Sequence, residues 1–160
     1  MTQTIEDEIS LEELIKRSTY ILVVKKSEPE STVEKIRIHE DTAKYPPFEK
    51  TVHHFQVIEE LFVTPKDIDG KYKPGELAGK NIDVMPSKIQ DKLDLHKHFY
   101  LDGWRKSPIV KTYNSTANFN EKTLVVFLNV RLEFAVENAY ESLSKKKEIL
   151  KIVNESSKAK

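Results

Sequence analysis

The sequence predicts a mainly β fold, a small barrel with flanking helices, and three segments carry that expectation. Thr19-Tyr-Ile-Leu-Val-Val24 is an almost unbroken apolar, β-branched run, Thr51 to Val63 is long and half alternating, and Leu124-Val-Val-Phe-Leu-Asn-Val130 is again continuous. Continuous runs mark strands covered on both faces, and a long one marks a strand that bends through a barrel. A mixed sheet with helices packed on it would also cover two faces.

The elements follow in order. Ser10-Leu-Glu-Glu13 is a capping-box pattern with Leu11, Leu14 and Ile15 behind it, which predicts a helix at about 11–17. The first strand, 19–25, ends at a turn around Pro29, and Val33 to His39 alternates enough to return as the second arm of a hairpin. Tyr45-Pro-Pro-Phe48 marks a loop before the long strand 51–63. There Phe55, Val57, Leu61 and Val63 share one face and Val52, Ile58 and Phe62 the other. The phase breaks at Glu59-Glu60, where a bulge or bend would restore it. Pro65 to Gly79 reads as a loop and 80–85 as a strand. Ser87-Lys-Ile-Gln90 repeats the capping pattern and predicts a helix at 88–94. Leu95 to Leu101 then alternates as a strand, followed by strands at 108–113 and 123–130. Ala135, Val136, Ala139, Tyr140 and Leu143 have helical spacing, as do Lys146, Ile149, Leu150 and Val153, which predicts a C-terminal helix in one or two pieces.

At 160 residues, without repeats or a long linker, the chain is expected to form a single domain over 1–160, with 1–9 and 155–160 disordered. Its 26 basic residues balance 26 acidic ones, so no global field draws it to nucleic acid or an anionic membrane. The balance is uneven: the first residues carry Glu6, Asp7, Glu8, Glu12 and Glu13, and the last are rich in lysine, so the two ends could attract. No cysteine is present, which removes disulfides, thiolate zinc sites and a cysteine nucleophile. No segment nears the ~18 apolar residues of a membrane span. The start of the chain lacks a signal-peptide pattern. The reading is a soluble, cytoplasmic chain; one trimmed of its export signal would look the same.

A helix between the middle strands of a small barrel is the oligonucleotide/oligosaccharide-binding (OB) arrangement, and the fold expected is an OB-like β-barrel with an N-terminal helix, one helix between strands and a C-terminal helix. Three stretches carry a further resemblance: a helix entering the first strand at Leu14 to Val24, the long strand Phe55 to Phe62 followed by Gly79-Lys-Asn-Ile-Asp-Val84, and the late strand Leu124 to Leu128. They resemble uncharacterised bacterial domains whose barrel is related to the netrin and metalloproteinase-inhibitor domains. The resemblance touches about half of the chain. The inhibitor domains reach a target's zinc through an N-terminal cysteine, and this chain has none, so that activity is not implied.

Three kinds of site follow from the residues. On an extended strand, His96-x-His98 would project two imidazoles to one side about 7 Å apart. That suits one zinc ion, with Asp102 as a third ligand and Tyr100 on the same face. The ordinary alternative is the solvent face of an amphipathic strand. Tyr100, Trp104 and Arg105, near Lys106 and Lys111, could stack on and pair with single-stranded nucleic acid, although a neutral chain argues against that partner. The adjacent His53 and His54 should face opposite sides of their strand, one toward the core and one toward solvent. No nucleophile elbow, Ser-x-x-Lys pair or glycine-rich phosphate loop is present. The expected function is therefore a non-enzymatic binding or interaction module for a protein or small molecule. Its ligand should lie at the loop-rich end formed by 40–50, 64–79 and 102–107, and no cofactor is required. The alternatives are a metal-dependent protein, such as a hydrolase, using His96 and His98, and a single-stranded nucleic-acid binder.

Overall fold

A computed structural model describes residues 5–64, 72–103 and 109–158. Strands dominate it: β1 (Ile5–Ile9), β2 (Tyr20–Ile36), β3 (Phe48–Val63), β4 (Asn81–Val84), β5 (Ile109–Tyr113), β6 (Thr123–Leu128) and β7 (Tyr140–Glu141). Three α-helices accompany them: α1 (Leu11–Lys16), α2 (Ile89–Leu101) and α3 (Lys146–Lys158). None is long and apolar enough to cross a membrane.

The main sheet is antiparallel in the order β4-β3-β2-β6-β7, and β1 pairs in parallel with β5. β2 is central because Tyr20 to Val24 is apolar on both faces, and all five residues are buried. Its neighbour β6 supplies Leu124 to Leu128, likewise wholly buried. The predicted bulge in β3 is present and double. Ile21 faces Phe62 while Leu22 faces Glu60, which leaves Leu61 without a partner. Val23 faces Glu59 while Val24 faces Val57, which leaves Ile58 over. The two extra residues bracket Glu59-Glu60 and return Leu61, Val63, Val57 and Phe55 to the core. β-bulges add twist and bend the strand that carries them.

Both glutamates serve the bend. Glu59 pairs with Lys146 at the start of α3. The Glu60 carboxylate accepts from the backbone N–H groups of Gly75 (2.6 Å), Leu77 (2.8 Å) and Ala78 (3.1 Å), and so clips the loop that delivers buried Leu77 to the core. Hydrogen bonds to a charged group are worth about 1.5–3 kcal/mol each. Glu60→Ala is therefore expected to cost roughly 2 kcal/mol. It should raise amide exchange over 72–79, read by hydrogen-exchange mass spectrometry, before it affects the β2–β6 pairing.

Several elements depart from the sequence reading. The expected turn at Pro29 and hairpin back through 33–39 do not form; β2 runs on to Ile36, still paired with β3. The register jump from Lys26↔Phe55 to Ser31↔His53 loops out the stretch around Pro29, so proline's missing N–H disrupts no ladder. Residues 5–9, expected to be disordered, form β1, and α3 continues to Lys158. The expected strand 95–101 is helical, because α2 extends through it. Ile89, Lys92, Leu93, His96 and Tyr100 are half-buried at helical spacing, a stripe beneath the local alternation, and Leu95 and Lys97 beside it are half-buried too. Ser87 does not cap α2: the N-cap is Lys88 at φ 48°, and the Ser87 hydroxyl donates to Glu137 instead.

The first half of the expected C-terminal helix is also absent. Leu132 and Asn138 adopt φ 59°, which no continuous helix accommodates. Residues 133–139 instead lie along β6. Phe127 N–H donates to the Ala139 carbonyl (3.0 Å), and Ala135 N–H donates to the Phe127 carbonyl (2.9 Å). On its other side this segment meets the end of β4: Met85 N–H donates to the Leu132 carbonyl, and Phe134 N–H to the Met85 carbonyl. The second half is helical as expected, with Ile149 and Val153 buried and α3 packed against α1.

Candidate functional site

A cleft of about 310 Å³ opens where β3, the turn after β4 and the 133–140 segment meet. Its apolar walls are Pro86, Phe119, Phe134, Val136 and the ring of Tyr140, and its polar groups are His53, Ser87, Glu137 and Asn138. His53 reaches it because odd-numbered residues of β3 between 53 and 57 face the core. Its imidazole lies edge-on to Phe119 (centroids 5.1 Å) and Phe134 (5.8 Å), and Phe119 also meets Tyr140 (4.8 Å). Burial lowers the His53 pKa, reinforced by the charge of Lys26 and by His54, so the ring is neutral at pH 7. Lys26 donates to the Phe119 carbonyl and sits 4.5 Å from the centre of its ring. At the rim, Glu137 accepts from the Ser87 hydroxyl (2.9 Å) and pairs with Lys92 of α2. Among the described residues, neither the His53 ring nitrogens nor the Tyr140 hydroxyl has a hydrogen-bond partner. The cleft thus offers aromatic faces, one neutral imidazole and one phenol. A second hollow, of about 480 Å³, is lined by α3 alone and is a helix flank.

Behind the cleft, Glu141 is fully buried and fully satisfied. It accepts from the Tyr113 hydroxyl (2.6 Å), the Thr116 hydroxyl (2.5 Å), and the N–H groups of Thr116 (3.2 Å) and Ser142 (2.9 Å). Burial works against its charge, but the bonds from Thr116, Tyr113 and Ser142 prevail and hold its pKa below the ordinary carboxylate value. Burial raises the Tyr113 pKa, as do its bond to Glu141 and the charges of Glu141 and Glu148. Burial and the Glu141 charge also raise that of Tyr140. This cluster fastens β5 and the 114–117 turn to β7, with Thr116 at the surface.

The residues singled out from sequence are placed differently. His96 and His98 lie two apart on α2, not on a strand, so their side chains diverge by about 200° around the helix. His96 Nε2 donates to the Pro46 carbonyl (2.7 Å), and its ring meets Phe48 and Tyr100. His98 Nδ1 bonds Asp102 one turn on (2.8 Å). The same-face geometry that suggested a zinc site with Asp102 is therefore replaced by a helical one. No group of three or more His, Asp or Glu side chains among the described residues could hold a metal ion. Tyr100 packs between His96 and Phe99, and Trp104 and Arg105 lie outside the described residues.

The opposite facing of His53 and His54 is as expected. His54 stands on the outer face of the sheet, with Nδ1 held by Asp83 (2.7 Å) and Nε2 bonded to the Thr32 hydroxyl (2.9 Å). The order Asp–His–Thr is that of a general-base relay. It spans three adjacent strands on the face opposite the cleft, however, and the Asp83 side chain is 66% exposed. It acts as a cross-strand tie. The cleft residues Phe119, Phe134, Glu137 and Tyr140 had no signal in the sequence, since their convergence depends on the non-helical path of 130–140. No protein-family model, curated protein or solved structure matches the chain.

Proposed function

We propose that the chain is a non-enzymatic binding module on a small β-barrel, and that its ligand occupies the His53–Tyr140 cleft. The observation that carries this reading is the cleft itself, where aromatic walls are joined by an imidazole and a phenol with open hydrogen-bonding capacity. Such a surface recognises a partly apolar group by contact and fixes its orientation with a few polar atoms. The Ser87 hydroxyl, the one candidate nucleophile in the wall, donates to a carboxylate already paired with Lys92, so no imidazole activates it. The barrel reading draws support from the hydrogen bonds of 132–139, which reach β6 on one side and the end of β4 on the other.

A protein-observed NMR fragment screen tests this, with the His53 ring protons as reporter. Fragments carrying an aromatic or aliphatic ring should shift His53, and Tyr140→Ala should weaken them about tenfold or more. An absence of hits, or hits indifferent to Tyr140→Ala and His53→Ala, would overturn the assignment. Native mass spectrometry of protein purified without chelator bears on the metal-dependent alternative. Retained zinc that is lost in His98→Ala would replace this reading with that one.

A further inference from the structure

We propose that α2 is a hinged latch, which undocks from the folded sheet as a unit and whose grip on Glu137 sets the charge at the rim of the cleft. The helix is lightly held. None of its 13 residues is buried, and a helix of that length is marginal in water without tertiary packing. Among the described residues, two polar anchors join it to the rest of the molecule: Lys92 pairs with Glu137, and His96 Nε2 donates to the Pro46 carbonyl (2.7 Å). The Gln90–Asp94 and His98–Asp102 bonds run within the helix and its cap, so they do not dock it. The Lys92 and Glu137 side chains are 35% and 32% exposed, so water and salt weaken their pair. The entry to α2 is a ready hinge. Lys88, the N-cap, holds φ 48° and ψ 47°, a costly conformation for a residue with a Cβ, and its side chain caps no N–H group of the first turn. Elements with little burial are the first to open locally.

The latch meets the cleft at one carboxylate. Glu137 lines the cleft, as do Pro86 and Ser87 just before the hinge. The Ser87 hydroxyl and the Lys92 ammonium both bond Glu137 Oε1, and Oε2 accepts from none of the described residues. The Glu137 backbone is fixed to β5: its N–H donates to the Lys111 carbonyl (3.0 Å), and its carbonyl accepts from the Tyr113 N–H (2.9 Å). Glu137 therefore stays in place when α2 leaves. With α2 docked, Lys92 balances the carboxylate and the rim is neutral. With α2 away, an uncompensated carboxylate shares the wall with Phe134 and Tyr140, whose ring faces attract cations. Lys26 keeps its place on the Phe119 ring in either state. The docked cleft thus suits a neutral ring, and the open one a ring that carries an ammonium group. This consequence rests on the cleft being the binding site, whereas the hinge does not.

Hydrogen-exchange mass spectrometry on the full chain at pH 7 tests the latch. Residues 89–101 should exchange faster than β2 and β6. Lys92→Met and His96→Ala each remove one anchor. Each should speed exchange over 89–101 about two- to fivefold and leave β2 and β6 unchanged. Exchange in α2 as slow as in β6, or indifferent to both variants, would overturn the proposal. The His53 ring protons read the coupling to the cleft, in titrations with 2-phenylethanol and with phenethylammonium. Lys92→Met should tighten the ammonium probe about two- to fivefold and leave the alcohol unchanged. An equal effect on both probes would overturn the coupling. Probes that leave His53 unmoved in every form would overturn the cleft reading, and the role of the rim charge with it, while the exchange data still decide the latch.

Discussion

Glu141→Ala is expected to destabilise the protein by about 3 kcal/mol or more, since it removes a fully buried carboxylate and leaves the buried Tyr113 hydroxyl and the part-buried donors of Thr116 and Ser142 without their acceptor. The Tyr113 and Thr116 hydroxyls and two backbone N–H groups all donate to it. Glu141→Gln keeps the shape but loses the charge and turns one acceptor into a donor, so a smaller loss is expected. Urea unfolding at pH 7 measures both. The pH dependence follows from the direction of the shift. The unfolded carboxyl titrates near 4.5 and the folded one below that. The stabilisation is thus complete above about pH 5.5 and fades as the pH falls through 4.5 toward the depressed value, because the unfolded state takes up the proton first. The stability gap between the native sequence and Glu141→Gln should therefore narrow on acidification. A gap that stays constant from about pH 6 to pH 3 would show that the charge contributes nothing. At the alkaline end Tyr113 acts in the opposite sense: its raised pKa contributes stability below the ordinary phenol value of 10.0, lost as the pH climbs beyond it.

Phe127→Ala should cost about 3–5 kcal/mol, the usual range for truncating a fully buried phenylalanine. Phe127 is completely buried in β6, beside β2 on one side, and its backbone holds Ala135 and Ala139 on the other. The hole would open between the central strand and the segment that forms the cleft wall. Amide exchange should therefore rise both in β2 and across 133–139. Phe127→Leu retains most of the volume and should cost under half as much. If Phe127→Ala unfolds at the same urea concentration as the native sequence, the central position of β6 is wrong.

The strands that bury two faces were the legible part of the fold, because a continuous β-branched run has few other uses. Tyr20 to Val24 and Leu124 to Leu128 are both wholly buried. The bulge at Glu59-Glu60 was legible too, since charges that interrupt an apolar phase need a change of register. The errors occurred where local pattern and tertiary contact disagreed. Leu95 to Leu101 alternates well, yet Leu93, His96 and Tyr100 also fit one helical face, and docking of His96 on Pro46 and Phe48 favours the helix. The zinc expectation depended on the strand assignment and lost its geometry with it. Ala135, Val136 and Ala139 have helical spacing but are covered by pairing with β6, on a path turned by two left-handed residues. The cleft was not legible, because it is assembled along that path. The two left-handed positions that set it are Leu132 and Asn138, and a leucine gives no warning of positive φ.

The central position of β2 governs the order in which the protein can be made. During synthesis the β2–β3 hairpin can close early, but the other side of Tyr20 to Lys25 waits for Thr123 to Leu128, across most of the chain. Ile5 to Ile9 waits in the same way for Ile109 to Tyr113. Until β6 leaves the ribosome, one of the most apolar stretches of the molecule has an open edge, a state that favours aggregation and slow folding. A nascent chain stalled short of residue 123 should therefore depend on chaperones, whereas the full chain should not.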